Sequence, residues 1–165
     1  MKSKIDINKL LEEAVQKDQN AIKKGNVKAT LSIFKKNTDI LKLSIKNVGW
    51  PSNNENQRAF HNAWLIAQHS DHDPYFQLQC LGLILQDIKE NKNMLTDCAF
   101  LIDRILSNSG HKQVFGTQLM GKFMLPSTIS PKQLESLRHK IGLESMGDYI
   151  SMMMKQSELL NYQKY

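Results

Sequence analysis

The residues best suited to chemistry lie in Gln68-His69-Ser70-Asp71-His72-Asp73-Pro74, with Gln77 one turn further on. Two imidazoles, two carboxylates and two amides crowd a segment flanked by apolar runs, Phe60 to Ala67 before it and Tyr75 to Ile88 after it. The pattern predicts a polar pocket at the corner between two buried helices. Histidine suits proton transfer because its ordinary pKa, about 6.5, lies near neutral pH. In this reading His69 is the general base or acid, and Asp71 or Asp103 orients its other ring nitrogen. Arg104 or Arg138 holds an anionic group of a small-molecule substrate, while Gln68, His72, Gln77, Gln113, Thr117 and Gln118 supply further contacts. The three-dimensional expectation is that His69, Asp103, Gln118 and Arg138 line one cavity.

Two other classes of function fit the same residues. The cluster can be an internal polar network that fixes the packing of a non-catalytic, protein-binding or inhibitory module, since satisfied buried networks specify a core. Alternatively His61, the His72-Asp73 pair and Asp103 follow the order of ligands in helical metal-dependent phosphohydrolases. That likeness is loose, because Asp73-Pro74 reads as a helix cap and first residue. No metal ligand set is assigned, and no pattern names a cofactor.

These residues must be positioned by helices. Apolar residues at Ile7, Leu10, Leu11, Ala14, Val15 and Ile22 predict an amphipathic helix over 5–24, ended by Gly25-Asn26. A second helix is expected over 28–48, with a break near Asn37-Thr38-Asp39 and a stop at Gly49-Trp50-Pro51. The third, over 55–70, carries His61, Trp64, Leu65, Gln68 and His69 on one stripe. The fourth starts at Pro74 and packs through Phe76, Cys80, Leu83, Ile84 and Ile88. A fifth, over 94–107, places Asp103 on a face with Ala99 and Leu106, so that carboxylate needs a cationic or multiple-donor partner; His69, His72 and Arg138 are candidates.

After Gly110 the period shortens, and Gln113 to Leu119 with Lys122 to Leu125 predicts a short β-hairpin near 113–126. Gly116 marks a close backbone approach. Ser130-Pro131 opens a sixth helix through Lys140, and the last helix spans 145–160, with Met152 to Met154 as adaptable packing. The expected fold is all-α: one compact domain of six or seven helices with that hairpin. Its lysine-rich segment, 1–48, packs on a core, 49–165, that carries the polar motifs.

Bulk properties limit the remaining classes. A chain of 165 residues can enclose a sizeable core. It has no run of about 18 apolar residues to span a bilayer and no secretory leader after Met1, so the expectation is a soluble, cytoplasmic protein without a membrane partner. Cys80 and Cys98 sit in apolar runs and read as buried thiols. Residues 1–49 hold 11 lysines against 5 acids, whereas 50–165 are balanced. The lysines occupy several faces with no interleaved aromatics, which argues against specific nucleic-acid binding. Arginine occurs only as Arg58, Arg104 and Arg138.

Several separated motifs together resemble a known family. They are Gly49-Trp50-Pro51; Ala63 through Pro74, reading AWLIAQHSDHDP, with Phe76-Gln77; Leu101-Ile102-Asp103-Arg104; Gly116-Thr117-Gln118; and Arg138 ahead of Gly142-Leu143. Over residues 40–150 the chain is similar to the bacterial family called domain of unknown function 6624. The resemblance implies a small bacterial protein and supplies no activity. The chain departs from the family at Ser70, where alanine is typical, and at Phe100 and Phe115, where tyrosine is typical, so no phenol acts at those two positions.

Overall fold

A computed structural model describes residues 6–52, 55–88, 94–119 and 127–162 of the chain. Seven helices lie among them: α1 (Ile7–Lys24), α2 (Val27–Val48), α3 (Gln57–Gln68), α4 (Pro74–Asp87), α5 (Leu95–Asn108), α6 (Pro131–Lys140) and α7 (Met146–Tyr162). The chain divides into two compact units, Met1–Met94 and Leu95–Tyr165.

In the first unit α1 packs on α2 and on α3, and α3 packs on α4. The α1–α2 turn is as short as the sequence allows. Gly25 adopts φ 68°, the left-handed cap that glycine tolerates, and the next residue, Asn26, caps α2 by accepting from the Ala29 N–H at 3.0 Å. Asp6 accepts from the N–H groups of Asn8 and Lys9 at the start of α1. The expected break near Asn37-Thr38-Asp39 is absent, and α2 runs unbroken through these residues. Asn37 and Thr38 face inward and find partners there: the Asn37 amide donates to Ala14 O at 2.9 Å, and the Thr38 hydroxyl donates to Phe34 O at 2.9 Å. The core of this unit holds Leu11, Ala14, Leu41, Phe60, Ala63, Ile66, Ala67, Phe76, Cys80 and Ile84, all buried.

The α3–α4 corner falls where the polar cluster predicted it. Asp73 caps α4, accepting from the Phe76 N–H at 3.1 Å, and Pro74 occupies the first turn. Helix α3 is shorter than expected, ending at Gln68, which leaves His69 and Ser70 in the turn. The Ser70 hydroxyl donates back to Ile66 O at 2.8 Å, and the His69 N–H reaches Leu65 O and Ile66 O.

In the second unit Leu134, Met146 and Tyr149 form a core against which Phe100, Leu119, Ile129, Ile150 and Met153 pack. The expected β-hairpin near 113–126 is not found. Its return arm, 120–126, lies outside the described residues, and there is no strand among those described. Gln113 instead makes one isolated parallel bridge with Thr128, its N–H donating to Ser127 O and its carbonyl accepting from the Ile129 N–H. After Gln113 the chain bends, and its N–H groups turn onto a buried carboxylate, described next.

Candidate functional site

The His69 ring is held by three helices. The buried stripe of α1 reads Leu11, Ala14, Asp18, Ala21, so helical spacing carries one carboxylate into the interior, where Asp18 is 1% exposed. Asp18 Oδ2 makes a very short contact with His69 Nδ1. Phe34, from α2, stacks on the imidazole with ring centroids 4.6 Å apart and planes 21° from parallel. Asp18 is the hydrogen-bond partner of the ring among the described residues, and the His69 side chain keeps 17% of its exposure. A carboxylate at Nδ1 fixes the ring plane and favours the proton on that nitrogen, which leaves Nε2 to accept or donate outward. The second Asp18 oxygen, Oδ1, is buried and has no partner.

Around this pair, Gln77 is fully buried and ties the corner together. Its Nε2 donates to Ala67 O at 3.1 Å, Gln68 O at 3.3 Å and Asp71 Oδ1 at 3.3 Å, satisfying carbonyls that the end of α3 leaves open. Gln77 Oε1 and Gln68 Nε2 are buried without partners. Ser70 and Thr38 share a hydroxyl contact of 2.8 Å in the interior. His72 and Asp71 are exposed on the turn. Asp73 pairs with Lys42 at 2.6 Å, and that hydrogen bond, with the Phe76 N–H, holds its carboxyl below the usual range.

The second unit holds Asp103, Arg104, Gln113, Thr117, Gln118 and Arg138. Asp103 is completely buried, and both its oxygens are engaged. The Val114 N–H donates to Oδ1 at 2.8 Å, the Phe115 N–H to both oxygens at 3.1 Å, and Thr117 to Oδ2 through its N–H at 2.9 Å and its hydroxyl at 3.0 Å. Multiple donors are what a buried carboxylate needs, and here the loop backbone provides them. The Gln113 side chain spans the same loop, donating to Gln118 O and accepting from the Gln118 N–H, each at 3.0 Å. Gln118 in turn accepts from Arg104 at 3.2 Å and donates to Phe100 O and to Thr117 Oγ1.

Arg138, 1% exposed, anchors the loop from α6. Its Nε donates to Glu144 O at 2.7 Å, its Nη1 to Phe115 O at 2.5 Å, and its guanidinium lies 5.0 Å from the Tyr149 ring centre. Burial pulls its pKa down from the ordinary arginine value, and burial pushes the Tyr149 phenol up. The Tyr149 hydroxyl donates to Thr117 O at 2.9 Å. Gly116 has φ 66°, and a Cβ there would stand 3.0 Å from Met146 Sδ, so the expected close approach is made by α7.

The expected site residues thus form two groups. Gln68, His69, Asp71, His72 and Gln77 belong to the first unit and Asp103, Arg104, Gln113, Thr117, Gln118 and Arg138 to the second. The carboxylate on His69 is Asp18, where Asp71 or Asp103 was expected, because Asp71 lies on the exposed turn and Asp103 is saturated by Val114, Phe115 and Thr117. Asp18 had a signature in the sequence: it fills the gap in the apolar spacing between Ala14 and Ile22, four residues from each. Of the phosphohydrolase-like order, His61 and His72-Asp73 fall in the first unit and Asp103 in the second. His61 stacks on Trp64 at 5.4 Å, and no group of three or more His, Cys, Asp or Glu placed to hold a metal occurs among the described residues. Cys80 and Cys98 are free and buried, each thiol pushed up to about 12, chiefly by burial.

Compared with known proteins, residues 10–160 match the model of a family of unknown function, DUF6624. The match takes in Asp18 as well as the 40–150 motifs. No curated protein and no solved structure matches the chain.

Proposed function

We propose that this chain, which belongs to the DUF6624 family, binds a small molecule at His69 and uses the Asp18–His69 pair to move a proton. The observation that carries the reading is a buried carboxylate on Nδ1 of an imidazole that is still partly exposed and whose Nε2 bonds to no described residue. In such a pair the carboxylate sets the tautomer and stabilises the imidazolium, and Nε2 exchanges the proton with the bound molecule. Gln68 Nε2, next to His69 in the chain, and Gln77 Oε1, from α4, are buried without partners and are a donor and an acceptor for polar groups of that molecule. Leaving such atoms unmet costs about 1–3 kcal/mol each, so their retention favours a role in recognition.

The second unit supports a different reading of its own residues. Asp103, Gln113, Thr117, Gln118 and Arg138 fix the 113–118 loop, and in this proposal they are a structural network that presents the loop. That favours an interaction role for the unit over chemistry at Asp103.

The test is an unbiased metabolite screen by affinity mass spectrometry on wild type, His69→Gln and Asp18→Asn, with stability measured alongside. The reading expects a ligand retained by wild type and lost by His69→Gln, with little loss of stability, as where activity is kept at stability's expense. If the pair is only structural, breaking it should cost about 3–5 kcal/mol. That result, with no ligand retained by wild type, would sink the proposal.

A further inference from the structure

Residues 22–29, which comprise the end of α1, the Gly25-Asn26 turn and the start of α2, are exposed without interruption. Apolar side chains stand on or beside this tip: Ile22 is 44% exposed, Val27 72% and Leu31 55%. On α2 the positions Val27, Leu31 and Phe34 follow helical spacing, and Phe34 stacks on His69. The inward stripe of α2 therefore continues beyond the packed part of the helix onto an uncovered apex.

The charge around that apex has one sign. From Ala14 to Thr38 there are six lysines, Lys17, Lys23, Lys24, Lys28, Lys35 and Lys36, and a single acid, Asp18, which is buried against His69. A groove of about 400 Å³ beside the tip is edged by Lys17 and Lys24 and floored by Ala21, Ala29 and Ile33.

We propose that the α1–α2 tip docks on the surface of an anionic lipid bilayer, with Val27, Leu31 and Ile22 entering the headgroup boundary and the lysines facing lipid phosphates and carboxylates. A bilayer fits these features better than the other anionic partners. Lysines on several faces give a diffuse field, which a continuous charged plane accepts in any rotation, whereas a nucleic-acid backbone needs a stripe. The tip has no aromatic side chain for base stacking. Its apolar residues Ile22, Val27 and Leu31 are exposed together at a helix–helix turn among lysines, the combination of an interfacial anchor. This is a peripheral contact, distinct from a span: no helix among the described residues is long and apolar enough to cross a membrane. It departs from the expectation, drawn from the sequence, of no membrane partner.

The experiment is vesicle flotation of the full chain at physiological salt, comparing phosphatidylcholine vesicles with and without phosphatidylserine. Wild type should float with the anionic vesicles only and be released at high salt. Each lysine near the surface strengthens partitioning about fivefold, so Lys23→Glu with Lys24→Glu and Lys28→Glu should weaken it at least tenfold. Val27→Asp with Leu31→Asp should do likewise with helicity unchanged, because both positions are exposed. Absence of wild-type flotation, unchanged flotation of both variants, or tighter binding to a DNA oligomer or polyglutamate than to anionic vesicles would overturn the proposal.

Discussion

Replacing Asp103 by asparagine tests whether that carboxylate serves chemistry or architecture. From the sequence, Asp103→Asn keeps the side-chain shape and is expected to fold with a near-native melting temperature. The structure gives the opposite expectation. Asparagine offers one oxygen and one NH2 group, so whichever way it is turned, N–H donors that now meet a carboxylate oxygen face another donor. With the amide nitrogen at Oδ1, the Val114 N–H and one Phe115 contact are lost; at Oδ2, the Thr117 N–H and the second Phe115 contact are lost. The Phe115 N–H keeps the remaining oxygen, so one hydrogen bond to the charged group is lost outright, which costs about 1.5–3 kcal/mol. For a chain of this length, about 2–4 °C per kcal/mol implies a melting temperature lower by about 3–12 °C. Thermal and urea unfolding measure the change, and amide NMR shifts of Val114, Phe115 and Thr117 locate it. Asp103→Asn with wild-type melting and unmoved amide shifts at those three residues would refute the reasoning.

Two further outcomes follow from the first unit and the thiols. Asp73 titrates below its ordinary value because of Lys42 and the Phe76 N–H, so its contribution is full above the unfolded carboxylate range, near pH 4, and is lost as pH falls through the folded value. The stability difference between wild type and Asp73→Asn, under about 1 kcal/mol for an exposed pair on a cap, should vanish in acid; a difference that grows as pH falls would contradict this. Cys80 and Cys98, with thiols pushed up to about 12, should be inert to thiol reagents at neutral pH until the protein unfolds, and rapid labelling of the native chain would show that the burial is wrong.

The helices were legible because their periodicity and punctuation are local. Gly25-Asn26, Asp73-Pro74 and Gly49-Trp50-Pro51 each bring a specific backbone geometry with them, and the helices start or stop there. The Asn37-Thr38-Asp39 break was misread because polar residues inside a helix look like an interruption until their partners, Ala14 O and Phe34 O, are in view. The hairpin was misread for a related reason. Extended spacing over 113–119 signals strand, yet its N–H groups go to Asp103 and not to a neighbouring strand. Backbone donors carry no side-chain signature, so the partner of Asp103 had to be sought among cations that the sequence displays. The carboxylate on His69 was within reach of the sequence, since Asp18 sits on the apolar stripe of α1, but nothing in the order of residues says that α1 packs on α3. That is tertiary information.

The Asp18–His69 pair is tested most directly by the tautomer of His69. Long-range proton–nitrogen correlation spectra of the neutral ring distinguish a protonated Nδ1 from a protonated Nε2. The account predicts that neutral His69 carries its proton on Nδ1, toward Asp18, with Nε2 bare, and that Asp18→Asn changes this signature. A neutral His69 protonated on Nε2, or a spectrum indifferent to Asp18→Asn, would mean that the carboxylate does not set the ring for proton transfer.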